Sequence, residues 1–300
     1  MNRQDNRQFE GRGAQLNSHN RFIENSYVQE HMEGIDDFEL DNSQTQYFEE
    51  YPKKLINKVQ RDDTGLSYSM NPYQGCEHGC IYCYARTTHE FWGYSAGLDF
   101  ERKIIVKRNA PQLLEKQFQN KNWKPHPIML SGNTDCYQPI EKKLKITRAI
   151  LEVLLKYKNP VSIITKNMLV LRDLDLLQQL AQNQLVHVNV SITTINEKLR
   201  RKLEPRTVSV KNRLKVIEEL SKNDIPVNVM IAPVIPGLNS AEIPKIIKEI
   251  ADRGAMSAAY TIVRLNGSIG DIFTDWIHKT FPDKAEKVLH QIAEWWKAME

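Results

Sequence analysis

Cysteine is scarce in this chain, with four among 300 residues. That is too few for a disulfide scaffold, so in a reducing compartment their spacing carries the information. Glycine and proline stand at 13 each, which excludes a collagen-like or low-complexity chain. No apolar run approaches the ~18 residues of a membrane span, and Met1-Asn2-Arg3-Gln4-Asp5 shows nothing like a secretion signal. A cytoplasmic protein with no membrane partner is expected. With 41% hydrophobic and 26% charged residues, the chain can bury a substantial core. Its 300 residues suit one α/β barrel with appended segments.

Charge is spread unevenly. Residues 1–50 carry four Lys/Arg against eleven Asp/Glu, a balance of −7, which leaves 37 against 26, a balance of +11, on residues 51–300. A basic body is compatible with nucleic acid or another anionic substrate, although unplaced charges usually make an ordinary solvated surface. Residues 1–55 are rich in Asn, Gln, Asp and Glu, show no sustained period, and are expected to form an acidic, largely extended or disordered arm before a main domain at 56–300.

Beyond the arm, strand-like runs fall at 66–70, 128–131, 161–165, 186–193, 227–232 and 259–263, with 103–107 standing outside the series. Amphipathic stretches alternate with them at 146–157, where Ile150, Leu151, Leu154 and Leu155 share a stripe, and at 171–181, 211–221 and 243–251. A last helix at 284–299 carries Val288, Leu289, Ile292, Trp295 and Trp296 as a packing stripe. Val/Ile-rich strands separated by crossover helices argue for a helix-covered parallel sheet, either doubly wound or a full or partial barrel. In both cases chemistry belongs in the loops after the strands.

The cysteines obey that rule. Cys76, Cys80 and Cys83 follow the first strand in a C-x3-C-x2-C arrangement within Asn71-Pro72-Tyr73-Gln74-Gly75-Cys76-Glu77-His78-Gly79-Cys80-Ile81-Tyr82-Cys83. Three soft thiolates within eight residues suit tetrahedral zinc or an iron–sulfur cluster. Zinc would require a fourth ligand from Cys136, His78 or His89, and no second C-x2-C pair is present. A four-iron cubane held by three thiolates would instead leave one iron without a protein ligand.

This spacing, with aromatic Tyr82 before the last cysteine, resembles the signature of the radical S-adenosylmethionine superfamily. The resemblance implies a partial (β/α)6 barrel and a 4Fe-4S cluster ligated by Cys76, Cys80 and Cys83. It also implies S-adenosylmethionine (SAM) on the open iron, cleaved by one electron to a 5′-deoxyadenosyl radical. A reductant such as flavodoxin or ferredoxin is implied as partner.

Further segments resemble the superfamily's cofactor loops. Thr134 and Asp135 stand where a Gly-Gly-Glu segment often binds the methionine amino group, without its glutamate. Lys166 follows the third strand, a cation placed to hold a carboxylate or ribose; Ser191 and Thr193 offer hydroxyls after the fourth, and Arg206 in Glu204-Pro205-Arg206-Thr207 is suited to a bidentate grip on the methionine carboxylate. Ile235, in Pro233-Val234-Ile235-Pro236-Gly237-Leu238-Asn239, is the expected apolar contact to adenine, and Tyr82 is expected beside the cofactor.

Within the superfamily the segment from Asn71 to Arg206 is most similar to the branch containing spore photoproduct lyase. Gly11-Arg12-Gly13-Ala14, Asn17, Arg21-Phe22 and the run from Ser131 to Glu141 resemble an uncharacterised bacterial group of lyase-like proteins. The lyase's hydrogen-donating cysteine is replaced by Gly132. Cys136 as a substitute donor and Tyr84 as a radical relay are therefore the expected catalytic residues, and nucleic acid is a candidate substrate. The alternative reading is a non-catalytic, zinc- or cluster-stabilised nucleic-acid-binding protein.

Overall fold

The computed structural model describes residues 11–22, 44–59 and 68–298. Its strands are β1 (Gln46–Glu50), β2 (Asn57–Lys58), β3 (Tyr68–Met70), β4 (Tyr73–Gln74), β5 (Lys103–Lys107), β6 (Ile128–Leu130), β7 (Val161–Thr165), β8 (Val186–Ser191), β9 (Val227–Val234) and β10 (Ser257–Ile262). The helices are α1 (Leu98–Arg102), α2 (Ala110–Phe118), α3 (Glu141–Leu144), α4 (Ile146–Lys156), α5 (Leu174–Gln182), α6 (Glu197–Leu203), α7 (Val210–Lys222), α8 (Ile243–Ala251), α9 (Ser268–Thr280) and α10 (Ala285–Lys297).

The larger sheet runs β10-β9-β8-β7-β6-β3-β2. Its first six members are parallel, and β2 pairs antiparallel with β3. Those six lie side by side in chain order, without the reversal that defines a doubly wound sheet. Right-handed crossovers that never reverse leave their helices on one side of the sheet, so the other face becomes concave. Among the described residues β10 does not pair with β2 or β3. The result is a partial (β/α)6 barrel.

Period-two alternation explains the layering. Val186, Val188 and Val190 of β8, with Val161 and Ile163 of β7 and Val227, Val229 and Ile231 of β9, are buried in one core cluster with Ile150, Leu151 and Leu154 of α4, Leu177 and Leu180 of α5, and Val216, Ile217 and Leu220 of α7. Leu155, expected on the α4 stripe, is only half-buried. Truncating any of the fully buried leucines to alanine is worth about 2–5 kcal/mol.

The expected strand at 103–107 does stand apart. As β5 it pairs in parallel with β1 and antiparallel with β4, forming a separate three-stranded sheet. Of the run 66–70, residues 68–70 are β3, and 66–67 lie outside the described residues. Within residues 1–55, the portions 11–22 and 44–55 lie on the body, with Ala14 and Leu55 buried; residues 1–10 and 23–43 lie outside the described residues. On α10, Val288 and Ile292 are buried, Trp296 donates its indole N–H to Val263 O at 2.9 Å, and Trp295 is exposed.

Candidate functional site

The three cysteines sit on a loop clamped at both ends. Strand β4 leads directly into Gly75, and Cys76 N donates to Phe100 O at 2.8 Å. Cys83 N returns to Cys80 O at 3.3 Å, and Ile81 N reaches Leu203 O of α6 at 3.0 Å. Gly79 has φ of 65°, a left-handed conformation that disfavours a side chain. A Cβ on Gly13 would lie 1.8 Å from Gly79 O, so the segment from Gly11 can press against the cysteine loop only as glycine.

A buried Glu101 fixes this contact. Its carboxylate accepts the amides of Gly13 (3.1 Å) and Ala14 (2.8 Å) and pairs with Arg86 at 2.6 Å. Arg86, three residues after Cys83, is itself fully buried and donates to Cys80 O, Ala96 O and Gly97 O. Burying such a pair is costly unless every remaining hydrogen-bonding position is filled, and here the neighbouring backbone fills them.

Cys76 and Cys80 are buried, and Cys83 is partly exposed. Burial and then the Asp135 charge push the Cys76 thiol well up, with Cys80 and Cys83 adding to it. Burial and then Glu204 raise the Cys80 thiol to about 12. Thiols in such surroundings become thiolates when a cation binds them, which fits an iron–sulfur cluster. Among the described residues no group of three or more His, Cys, Asp or Glu side chains, the three cysteines included, is arranged around a single metal ion. Of the candidates for a fourth zinc ligand, Cys136 lies in the core and His78 is engaged with Asp135 and Asn167. His89 instead stacks between Tyr94 and Phe100.

His78 links this loop to the strand ends. It is buried, which lowers its pKa and keeps it neutral, with Nδ1 3.4 Å from Asp135 Oδ2 and Nε2 3.3 Å from Asn167 Nδ2. Asp135 also accepts from Thr165 Oγ1 (2.8 Å), the Lys166 amide (2.7 Å) and the Tyr137 amide (2.9 Å). Its carboxylate is therefore engaged as a clamp between the loops after β6 and β7. Asn71 and Gln138, neither singled out by the sequence, complete the support. Asn71 Oδ1 accepts the amides of Asn133 and Thr134, and Gln138 Oε1 accepts that of Glu77.

Two of the expected residues have unused capacity. Thr134 Oγ1 is buried with no hydrogen-bond partner. Lys166 is half-buried, and its ammonium makes no ion pair with a described residue, although its charge is felt by His78, Cys80 and Glu204. A buried orphan hydroxyl and an unpaired cation beside a three-thiol loop fit the amino and carboxylate groups of an amino-acid ligand.

Tyr82 belongs to a network that sequence reasoning found only in pieces. Its hydroxyl meets Thr193 Oγ1 at 3.0 Å and the Glu204 carboxylate, and Glu204 in turn accepts from Arg213 and from Thr193 Oγ1 at 2.8 Å. Burial pushes Glu204 up, but Arg213, Lys166 and these hydrogen bonds outweigh it and hold the carboxyl at about 2. Arg213 also donates to Ser191 O at 3.0 Å, tying the end of β8 into the network. Ile235 is fully buried beside Cys80, Ile81 and Tyr82, and its loop is held by Asn239, which accepts the Ile235 amide and donates to Thr193 O and Pro233 O.

Three further expected residues are placed as follows. Arg206 does not join Thr134 and Lys166: its guanidinium reaches Glu77 Oε2 at 3.3 Å and Thr45 Oγ1 at 3.4 Å, because the backbone after α6 turns it toward β1. Cys136 is fully buried in the helix-side core, its thiol beside Ser131 and Thr147 and pushed well up by burial. That placement is one of packing within the core. Tyr84 is 62% exposed and donates its hydroxyl to Gly132 O, at the rim of the concave face near Met129 and Ser69.

The Radical SAM superfamily model matches residues 70–250. An uncharacterised protein of Mycobacterium tuberculosis is 32% identical over 77% of this chain and 69% of its own length. One from Methanocaldococcus jannaschii is 30% identical over 84% and 90% respectively. Among solved structures, a spore photoproduct lyase mutant with bound AdoMet and dinucleoside spore photoproduct superposes with a TM-score of 0.61 at 16% identity, covering 80% of this chain and 68% of that one. At that identity the likeness is one of fold.

Proposed function

The chain belongs to the radical SAM superfamily, whose members use a 4Fe-4S cluster and SAM, and on that premise we propose that it abstracts a hydrogen atom from a nucleobase of a nucleic-acid substrate. The observation that carries the substrate reading is the concave face of the sheet. At positions alternating with the core valines stand Met129, Ser162, Ile164, His187, Asn189, Asn228, Met230 and Ser257, and no charged side chain. Burial lowers the pKa of His187, which keeps it neutral. Ser162 lies opposite His187, and Asn228 lies between Asn189 and Ser257.

A neutral surface rich in amides and hydroxyls, with thioethers interspersed, suits a neutral heterocycle that hydrogen-bonds along its edge and stacks on its face. It is unsuited to a phosphate or carboxylate, whose charge would be left unpaired. The phosphates would stay outside, on a body whose balance over residues 51–300 is +11.

When bound, the cluster and SAM supply one-electron cleavage of a sulfonium and a primary carbon radical. The chain supplies placement. Cys76, Cys80 and Cys83 grip the cluster; the Thr134 hydroxyl and Lys166 ammonium hold the amino-acid end of SAM; Ser191 lies at the adjoining strand end, and Ile235 and Tyr82 give an apolar seat to the nucleoside end. Asp135 acts through the Lys166 backbone, and Glu204 through Tyr82. Tyr84, at the rim, contacts the substrate.

The test is to load the protein anaerobically, add dithionite, SAM and oligonucleotides deuterated on the base, and follow label into 5′-deoxyadenosine. Transfer of deuterium is expected. Unlabelled 5′-deoxyadenosine, formed equally with and without oligonucleotide, would remove nucleic acid as substrate while leaving the radical chemistry standing. Cys80→Ala should abolish both iron binding and 5′-deoxyadenosine.

A further inference from the structure

Hydrogen-bonding capacity on the concave face is unequally used. Asn189 and Asn228 are register partners on β8 and β9, so their side chains stand side by side on this face. The Asn189 side chain donates through Nδ2 to Ile163 O at 3.0 Å and to Ser162 Oγ at 3.1 Å. A main-chain carbonyl only accepts, so the Asn189 amide is held in this orientation and Oδ1 is left as an acceptor. Asn228 Oδ1 accepts from Ser257 Oγ at 2.8 Å, which leaves the Nδ2 hydrogens as donors. Among the described residues neither Asn189 Oδ1 nor Asn228 Nδ2 has a hydrogen-bond partner, and neither is sealed from solvent.

An acceptor beside a donor is the complement of a donor beside an acceptor. Every standard nucleobase presents that pair on its Watson–Crick edge: an amino group beside a bare ring nitrogen in adenine and cytosine, a ring N–H beside a carbonyl oxygen in guanine, thymine and uracil. Only adenine repeats it on the major-groove edge. A trans peptide unit points its N–H and C=O in opposite directions and offers no such edge. The asparagine pair lies two residues before Ser191, the end of β8. That is about 7 Å down the strand, which leaves the depth of one heterocycle between the pair and the strand ends.

We propose that Asn189 and Asn228 determine specificity by reading the Watson–Crick edge of one base, so that the substrate is an unpaired base in a single strand. The inference rests on the reading that the substrate is nucleic acid, and narrows it. Asn189 Oδ1 accepts the N–H of the base, and Asn228 Nδ2 donates to the nitrogen or oxygen beside it. Inside a duplex that edge is occupied by the partner base, so a paired base would leave both asparagines desolvated and unmatched. The edge is the same in deoxyribonucleotides and ribonucleotides, so the pair reads pairing state and not the sugar.

The test measures equilibrium binding, without turnover, of labelled oligonucleotides to the iron–sulfur-loaded full chain with SAM, at physiological salt, where phosphate contacts alone hold weakly. The probes are single strands of each base as DNA and as RNA, the same strands annealed to their complements, and the best-binding strand methylated at the ring nitrogen of its Watson–Crick edge. Annealing and methylation are each expected to weaken binding by on the order of tenfold or more. Asn228→Leu and Asn228→Asp should do the same with unaltered melting temperatures, since the Asn228 side chain holds only the Ser257 hydroxyl. Asn189→Leu, which also strips Ile163 O of its amide partner, should lose binding together with some stability. In the Asn228 variants methylation should cost less than in wild type, because both changes remove the same contact. The same losses are expected for whichever of DNA and RNA binds tighter, which identifies the polymer. The proposal is overturned, with nucleic acid still standing as substrate, if duplex and single strand bind alike, or if methylation or the Asn228 variants leave affinity unchanged. Failure of every oligonucleotide to bind, paired or unpaired, with no deuterium transfer, removes the nucleic-acid reading and this one with it.

Discussion

The two flanks of the cysteine loop are built on opposite rules. On the flank facing the N-terminal segment, the buried Arg86–Glu101 pair is filled: Glu101 accepts two amides and a guanidinium, and Arg86 donates to three carbonyls in addition, while both ring nitrogens of buried His89 have no partner among the described residues. On the flank facing the strand ends, the Thr134 hydroxyl has no hydrogen-bond partner and the Lys166 ammonium no ion pair among the described residues. Unpaired buried polar groups cost stability, so a fold keeps them where something else completes them. The Arg86–Glu101 pair holds the loop, and the proposed ligand contacts fall on the other flank.

The largest effect expected from breaking this contrast is at Glu101. Glu101→Ala leaves Arg86 as an uncompensated buried charge and orphans two amides, for a loss of about 3–5 kcal/mol read in denaturant unfolding. A melting curve matching wild type would show that the flank is not a support. Next comes the network under Tyr82. Glu204 is depressed to about 2, so its contribution is present above the unfolded carboxyl's ordinary pKa. It is lost as pH falls from there through 2, and is on the order of 3 kcal/mol. Acid unfolding of Glu204→Gln should lack that loss.

The opposite flank should respond in binding and not in stability. Thr134→Val and Lys166→Met are each expected to weaken SAM by on the order of tenfold, with melting temperatures within a degree or two of wild type. If either instead destabilises the apoprotein strongly, its group has a structural partner and the contrast fails. The smallest effect is at the rim: Tyr84→Phe should leave 5′-deoxyadenosine formation within about twofold and alter only the substrate-derived product, as chromatography of the reaction would reveal.

The mixed polar and apolar texture of the concave face follows from the same period that made the sheet legible. In β8 the alternation Val186-His187-Val188-Asn189-Val190-Ser191 announces both faces at once. Helices α4, α7 and α8 were legible for a similar local reason, since their apolar stripes recur within a single turn or two. The support of the site was not. Glu101, Arg86, Asn71, Gln138 and Arg213 are ordinary polar residues in sequence, and their partners lie up to 88 positions away, as for Glu101 and Gly13. Gly13 gave a partial signal through its place in Gly11-Arg12-Gly13-Ala14, but nothing local says that it meets Gly79.

Arg206 and Cys136 show where the boundary falls. By residue type and by position after a strand, each was a fair candidate, and chain order was enough to establish the six-strand β/α series and the three-thiol loop. Those features depend on spacing within a few turns of backbone, which composition and period encode directly. Whether a guanidinium faces Glu77 or a ligand, and whether a thiol faces the concavity or the helices, depends on charges and packing contributed by segments remote in the chain. Only the folded arrangement brings those segments together, so only the tertiary structure showed Arg206 against Glu77 and Thr45 and Cys136 inside the core.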